Sequence, residues 1–134
     1  LFVGLADAVI TSPPFFDSTR FYMTNWMRYW FTGWERSDFD DSIGDFFETR
    51  QKKSLDIYTG FFEQARRAMR SGGYLVMHLG LSRKCDMGAE LAARLPDSFA
   101  HIGTFIEGVE HCESHGVRDK GTVKGHAYLV ARRR

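Results

Sequence analysis

An apolar run closed by two prolines constrains this chain more than any other feature. Residues 6–11 read ADAVIT, small and β-branched residues typical of a short buried strand, and residues 12–16 continue as SPPFF. Proline fixes φ and has no N–H group, so a hydrogen-bonded strand has to end where the prolines begin. The turn either holds a ligand at the carboxyl end of the strand, or is an ordinary Pro-Pro turn over buried phenylalanines.

Helical and strand-like patterns alternate along the rest of the chain. Helical spacing of apolar residues predicts helices over residues 20–32, 54–70 and 87–95. Apolar runs predict strands over residues 74–80, 99–108 and 122–133. Residues 33–45 and 109–121 are expected to be loops, and the SGG at residues 71–73 is expected to end the second helix as a glycine cap.

This order of elements predicts one α/β domain over residues 1–134. A helix between two strands implies a parallel crossover, with helices packed on the faces of the sheet. The last two strands have only a loop between them, so we expect them to form an antiparallel hairpin. The predicted architecture is a mixed sheet with helices on its faces and a C-terminal hairpin.

Composition narrows the functional classes. The formal net charge is +1, which does not mark the chain as a nucleic-acid binder by itself. Cys85 and Cys112 lie far apart and match no metal or redox spacing, so a reduced, cytoplasmic setting is expected. No apolar run approaches the ~20 residues of a membrane span, and no signal peptide is expected. The chain starts at Leu1 almost directly in a strand, which suggests that its start has been cut.

The stretch DAVITSPPFF resembles motif IV of the amino-group DNA methyltransferases, whose signature is (Asp/Asn/Ser)-Pro-Pro-(Tyr/Phe). The aromatic segment at residues 17–34 is similar to the one that follows this motif in a bacterial subset of the family. FFEQARRAMRSGGYLVMHLG and GTVKGHAYLVARR are similar to the family's next helix and strand and to its closing strand. The resemblance covers nearly the whole chain and implies a partial Rossmann-like methyltransferase fold, strands four to seven.

The resemblance implies methyl transfer from S-adenosylmethionine to an exocyclic base nitrogen of DNA. The Ser12 hydroxyl and the Pro13 carbonyl would accept the two hydrogens of the amine, Pro14 completes the motif, and Phe15 would stack on the flipped target base. Serine at the first motif position favours N4 of cytosine over N6 of adenine. Related enzymes with an Asn-Pro-Pro-Tyr motif act on RNA bases or protein glutamine, and Ser12 argues mildly against those substrates.

Residues just beyond the motif are further candidates for substrate binding. They are Phe16, Asp17 and Arg20. The alternative for Asp17 and Arg20 is the N-terminal region of a helix with ordinary surface charges.

The chain departs from the family at the cofactor. The family binds S-adenosylmethionine through a Gly-rich turn after its first strand and an acidic residue ending its second, and neither is found here, so the cofactor-binding residues are unknown. The chain corresponds to a C-terminal-type half: the first part of a permuted enzyme, the second part of an ordinary one, or a remnant. A second hypothesis is a non-catalytic, self-associating interaction module.

A sheet that begins with residues 6–11 has an exposed apolar edge, which is an association liability. We therefore expect a homo-oligomer, most simply a dimer, that pairs through this strand or through the aromatic segment at residues 21–34. Trp26, Trp30 and Trp34 are expected to form a core or dimer face, with a base-stacking platform as the alternative.

Several other residues have side chains capable of chemistry. His111, Cys112 and His115 are close in sequence, but a polar loop is expected there and no metal site. His78 is expected to be a buried histidine with a satisfied ring, and His126 is assigned no chemistry. The tail of Arg132, Arg133 and Arg134 is expected to be solvated, with phosphate contact as the alternative.

Overall fold

The computed structural model describes residues 3–17, 20–108 and 123–134. Within them, four strands form one mixed sheet in the order β1-β2-β4-β3. β1 and β2 are parallel, and β4 is antiparallel to both of its neighbours. The strands are β1 (Ala6–Thr11), β2 (Met69–Ser82), β3 (Phe99–Gly108) and β4 (Val123–Arg133).

Helices fill the chain between β1 and β2 and again between β2 and β3. They are α1 (Phe21–Thr24), α2 (Trp26–Phe31), α3 (Arg36–Ser42), α4 (Phe47–Lys53), α5 (Tyr58–Ala68) and α6 (Met87–Ala92). Short 3-10 turns, Ile43–Asp45 and Leu55–Ile57, connect α3 to α4 and α4 to α5. No helix in this part of the chain has the length and hydropathy of a membrane span.

The hydrophobic core lies on one face of the sheet. Alternate residues of a strand point to the same face, and in β2 and β4 these residues are fully buried. They are Leu75, Met77, Leu79, Ala127, Leu129 and Ala131. Tyr58 and Phe62 of α5 and Met87 and Leu91 of α6 pack against them, so both helices cover the same face.

The opposite face of the sheet is largely bare within the described residues. Ile10 of β1 is 77% exposed, and Tyr74 of β2 and Phe105 of β3 are also exposed. The expectation of helices on both faces is therefore met on one face only, because α5 and α6 return the chain on the same side. β1 lies at the edge of the sheet, as predicted, with its outer side unpaired in this part of the chain.

The segment between the motif and α5 is more helical than predicted. The expected helix over residues 20–32 is two short helices separated at Asn25. The expected loop at residues 33–45 contains α3, which starts with a capping box in which Glu35 and Asp38 exchange side-chain to backbone hydrogen bonds. A run of acidic residues indicates a loop, but the three-residue spacing of Glu35 and Asp38 satisfies N–H groups at the start of a helix.

The glycine cap predicted at residues 71–73 is wrong. α5 ends at Ala68, and Met69 is already extended. Ala6 pairs with Met69 whereas Ala8 pairs with Tyr74, so β2 carries extra residues opposite β1. Gly72 has a φ of 79° inside this irregular stretch, a conformation that favours glycine.

Candidate binding site at the end of β1

The Ser-Pro-Pro-Phe turn crosses the edge of the sheet. The side chains of Ser12 and Phe15 lie on the bare face, where they contact His78. Pro13 and Pro14 lie on the helix-covered side. There they line an apolar cavity of about 210 Å³ together with Thr11, Phe47, Tyr58, Phe61 and Met77.

A buried glutamine of α4 anchors this turn. The side-chain amide of Gln51 donates to the carbonyls of Pro14 at 3.2 Å and Phe15 at 3.5 Å. The Tyr58 hydroxyl donates to the Gln51 carbonyl oxygen at 3.1 Å. Burial raises the pKa of the Tyr58 phenol, so it stays protonated and keeps its role as a donor.

The two prolines of the turn offer carbonyl acceptors and no backbone donors. Pro13 and Pro14 have no N–H groups, and the carbonyls of Pro14 and Phe15 are held by Gln51. The Pro13 carbonyl has no hydrogen-bond partner among residues 3–17, 20–108 and 123–134. Ser12 is exposed. The turn therefore suits a ligand that brings hydrogen-bond donors, such as an amine.

Two histidines continue from Ser12 along the bare face. The Ser12 hydroxyl lies 3.2 Å from Nδ1 of His78, and Nε2 of His78 lies 2.5 Å from Nδ1 of His126. These residues are brought together by strand register, since Gly80 of β2 pairs with His126 of β4. No chemistry is predicted for these histidines from the sequence, because only the pairing of β2 with β4 brings their rings into contact.

Aromatic rings enclose the first histidine. The ring of Tyr128 stacks on His78 with centroids 5.0 Å apart, and its hydroxyl donates to Glu107 at 2.8 Å. Burial, and then the nearby His126, lower the pKa of His78, while Glu107 raises it by a smaller amount. His78 is consequently neutral at neutral pH, and one of its ring nitrogens is an acceptor.

Phe15 packs edge-on against both imidazoles. Its ring centroid lies 5.2 Å from that of His78 and 5.6 Å from that of His126. A Cβ atom on Gly80 would lie 2.7 Å from the Phe15 side chain. Glycine at position 80 is therefore required for this placement of the Phe15 ring on the sheet.

The three candidates beyond the motif have structural contacts. Phe16 packs against the core, and its N–H donates to the sulfur of Met87. Asp17 has a φ of 55° and forms ion pairs with Lys52 of α4 and Lys84 after β2. The contacts of Phe16 and Asp17 therefore connect the turn to the core, to α4 and to the end of β2.

Arg20 lies at the start of α1. Its carbonyl accepts from the N–H groups of Met23 and Thr24, and its guanidinium points towards the Met23 sulfur at 3.8 Å. The structure records no contact between Arg20 and Ser12 or Phe15 among the residues it describes.

The tryptophans do not form a core. Trp26 and Trp30 are more than half exposed, and Trp34 packs beside Tyr29 with centroids 4.9 Å apart. Together with Phe39 they line a cleft of about 270 Å³. The cleft is formed by α2, α3 and the residues between them, and the Ser12 turn does not line it.

Predictions for residues 109–122, including His111, Cys112 and His115, lie outside the described residues. In the part of the chain that the structure does describe, no three His, Cys, Asp or Glu side chains are grouped so that they could hold a metal ion.

Replacing Gln51 with Leu tests the anchor of the turn. We expect Gln51→Leu to lower the free energy of unfolding by about 1–3 kcal/mol, because two carbonyls and the Tyr58 hydroxyl lose their partner. Gln64→Leu on the exposed side of α5 is the matched control and should change it by less than about 0.5 kcal/mol. Equal urea midpoints for the two variants would contradict the anchoring role of Gln51.

The Asp17 ion pairs predict a pH-dependent contribution to stability. Lys52 and Lys84 hold the pKa of the Asp17 carboxyl at about 2, below its ordinary value of 3.8. A lowered folded-state pKa stabilises the fold above about pH 4, and this contribution is lost as the pH falls towards 2. Asp17→Asn should therefore cost about 1 kcal/mol at pH 7, allowing for solvent screening, and progressively less below pH 4.

Asparagine also tolerates the positive φ of position 17, so the backbone is not strained by this change. Urea unfolding from pH 7 to pH 3 measures the effect, with Asp41→Asn on exposed α3 as the control. A difference from wild type that stayed constant across this range would show that the ion pairs contribute nothing.

Comparisons with known proteins give no relative for this chain. No protein-family model matches it, and no match is found among curated proteins or among solved structures. The function of the site is therefore inferred from its geometry and from the resemblance of its motif.

Proposed function

We propose that this chain carries the target-base site of a DNA amino-methyltransferase, which transfers a methyl group from S-adenosylmethionine to an exocyclic nitrogen. N4 of cytosine is favoured over N6 of adenine. The observation that carries the proposal is the turn at the end of β1, where the exposed Ser12 hydroxyl and the Pro13 carbonyl can accept from an amine and the prolines contribute no donors.

The turn acts by position and electrostatics. The lone pair of an exocyclic amine is delocalised into the base ring, which makes the nitrogen a poor nucleophile. Two acceptors that hold its hydrogens favour a tetrahedral nitrogen, and the positive charge that develops there is stabilised by the same acceptors. Phe15, partly exposed beside Ser12, offers a ring to a base flipped from the duplex.

The Ser12–His78 contact also suits a nucleophilic serine, as in acyl transfer. That chemistry needs N–H donors beside the nucleophile to stabilise an oxyanion. The two residues that follow Ser12 are prolines and cannot donate. This favours Ser12 as an acceptor for an amine over Ser12 as an attacking group.

The arrangement of the strands also supports the proposal. β1 and β2 are parallel to each other, and β3 and β4 are antiparallel to each other. This is the arrangement that the resemblance implies for strands four to seven of the methyltransferase fold. The outer edge of β1, which is unpaired within the described ranges, and the bare face beside it are where the remaining strands and their helices would pack.

The site fits the amine and not the cofactor. An anionic carboxylate of S-adenosylmethionine needs N–H donors, and Pro13 and Pro14 offer none. S-adenosylmethionine, which supplies an electrophilic methyl group, is accordingly bound by residues outside this turn. We propose that a second segment or a second copy of the chain, paired with β1 or with the aromatic segment at residues 21–34, contributes them.

Methyl transfer measured with the purified chain tests this function. Labelled S-adenosylmethionine and duplex DNA are incubated with wild type and with Ser12→Ala, and the modified nucleoside is identified. We expect label on cytosine N4, and a rate reduced by about a hundredfold in Ser12→Ala because one of two acceptors is lost. Ser37→Ala on exposed α3 should match wild type. No label on DNA, together with no calorimetric binding of the cofactor at millimolar concentration, would overturn the proposal.

A self-associating module is the second candidate. The observation that favours it is the apolar exposure of two surfaces: Ile10 on β1, and the Trp30 and Phe31 side chains at the end of α2, the latter 75% exposed. Neither surface requires catalysis to explain it.

Light scattering tests the association. A dimer formed through β1 should dissociate in Ile10→Lys, because a charge is forced into the contact, whereas Ile106→Lys on the far edge strand should leave the mass unchanged. Loss of the dimer in Trp30→Ala alone would assign the contact to the aromatic segment. A monomeric wild type at all concentrations would exclude both surfaces as dimer contacts.

A further inference from the structure

We propose that His78 takes up, through Ser12, the proton that the target amine must lose, and that His126 positions His78 for this role. The inference rests on the proposed methyl transfer at Ser12 and deepens it. It assigns a proton path to two histidines that the motif itself does not contain. Ser12 touches the substrate, whereas His78 and His126 are positioning residues that act through it.

The two contacts of His78 link its tautomer to the direction of the hydrogen bond with Ser12. Nε2 of His78 faces Nδ1 of His126 at 2.5 Å, and Nδ1 of His78 faces the Ser12 hydroxyl at 3.2 Å. A serine hydroxyl has a hydrogen to donate, and a neutral imidazole has one donor and one acceptor. If His78 donates from Nε2 to His126, its Nδ1 is the acceptor and the Ser12 hydrogen points towards it.

This orientation of the hydroxyl matters for the substrate. With its hydrogen directed at His78, Ser12 presents oxygen lone pairs to solvent and to the incoming amine. With its hydrogen directed outwards, Ser12 would offer a donor to the amine hydrogens and repel them. His78 therefore sets the direction in which Ser12 can act.

The proton transfer is balanced without any further reactant. Once methylated, the amino nitrogen carries a positive charge and one hydrogen too many. That N–H bond breaks as a new O–H bond forms on Ser12, while the original Ser12 O–H bond breaks and an N–H bond forms at Nδ1 of His78. The products are a neutral methylated amine, an unchanged serine and an imidazolium, which then loses its proton to solvent. No electrons are exchanged with another group.

The surroundings of His78 suit an acceptor that is charged only briefly. His126 and Tyr128 of β4 face it, Phe15 lies edge-on, and Glu107 of β3 is hydrogen-bonded to Tyr128. Burial and His126 lower the pKa of His78, which keeps the ring neutral and ready before reaction. Glu107 accepts a hydrogen bond from Tyr128, the residue stacked on the His78 ring. Its carboxylate is therefore placed to stabilise the imidazolium when it forms.

Nuclear magnetic resonance of the purified chain tests the path without turnover. Nitrogen shifts of the histidine rings report which nitrogen carries the proton. We expect His78 protonated on Nε2 and unprotonated on Nδ1 at pH 7, and an altered Nδ1 shift in Ser12→Ala. In His126→Phe, both tautomers of His78 should appear. A protonated Nδ1 in wild type, or an Nδ1 shift unaffected by Ser12→Ala, overturns the proposal whatever the activity of the chain.

The pH dependence of methyl transfer provides the second test. The change His78→Asn keeps an acceptor for the Ser12 hydrogen but removes the group that can be protonated, so the contact remains and the base is lost. His78→Asn should slow transfer by about a hundredfold or more and abolish the loss of rate on acidification through the His78 pKa. His126→Asn, which retains an acceptor, should be faster than His126→Phe. His101→Asn, an exposed histidine of β3, should match wild type.

The outcomes separate this inference from the function on which it rests. If wild type methylates DNA and His78→Asn does so at the same rate and with the same pH profile, the proton path is wrong and the methyltransferase proposal stands. If wild type methylates no DNA while the tautomers are as expected, the methyltransferase proposal fails, and the proton path for methyl transfer fails with it.

Discussion

Pro13 and Pro14 cannot donate backbone hydrogen bonds, and the geometry of the whole site depends on this. Strand pairing of β1 stops at Thr11, so the chain leaves the sheet with Ser12 on one face and the prolines on the other. Gln51 then fixes the turn from the helix side by holding the carbonyls that follow. The two prolines present acceptors and no donors to a ligand, and this property connects the backbone of the turn with the chemistry proposed for it.

The sheet is asymmetric, and the asymmetry decides where function can lie. Helices α5 and α6 pack on the face formed by Leu75, Met77 and Leu129, where burial is complete. The other face carries the histidines and Phe15, and it ends at β1, whose outer edge has no partner strand among the residues that the structure describes. Polar side chains are therefore found on the face that does not have to supply the hydrophobic stability of the domain.

The sequence predicted the strands well and the site in part. β1 and β3 have their predicted bounds, because alternation and β-branched residues are local signals. α3 was missed, since its capping box lies in an acidic stretch that resembles a loop. Ser12 and Phe15 were found through their motif, whereas Gln51 and the His78–His126 contact depend on tertiary packing and on the register of β2 with β4. No local pattern encodes those contacts.

The separation of the site residues along the chain has a kinetic consequence. Ser12 meets a histidine 66 positions later, and Asp17 pairs with a lysine 67 positions later. Contacts of this span form only after the entropy of closing long loops has been overcome, which makes them slow steps in folding. During synthesis, His126 cannot reach Ser12 and His78 until β4 has left the ribosome. The complete site can therefore form only once β4 has paired with β2, and it cannot precede that part of the sheet.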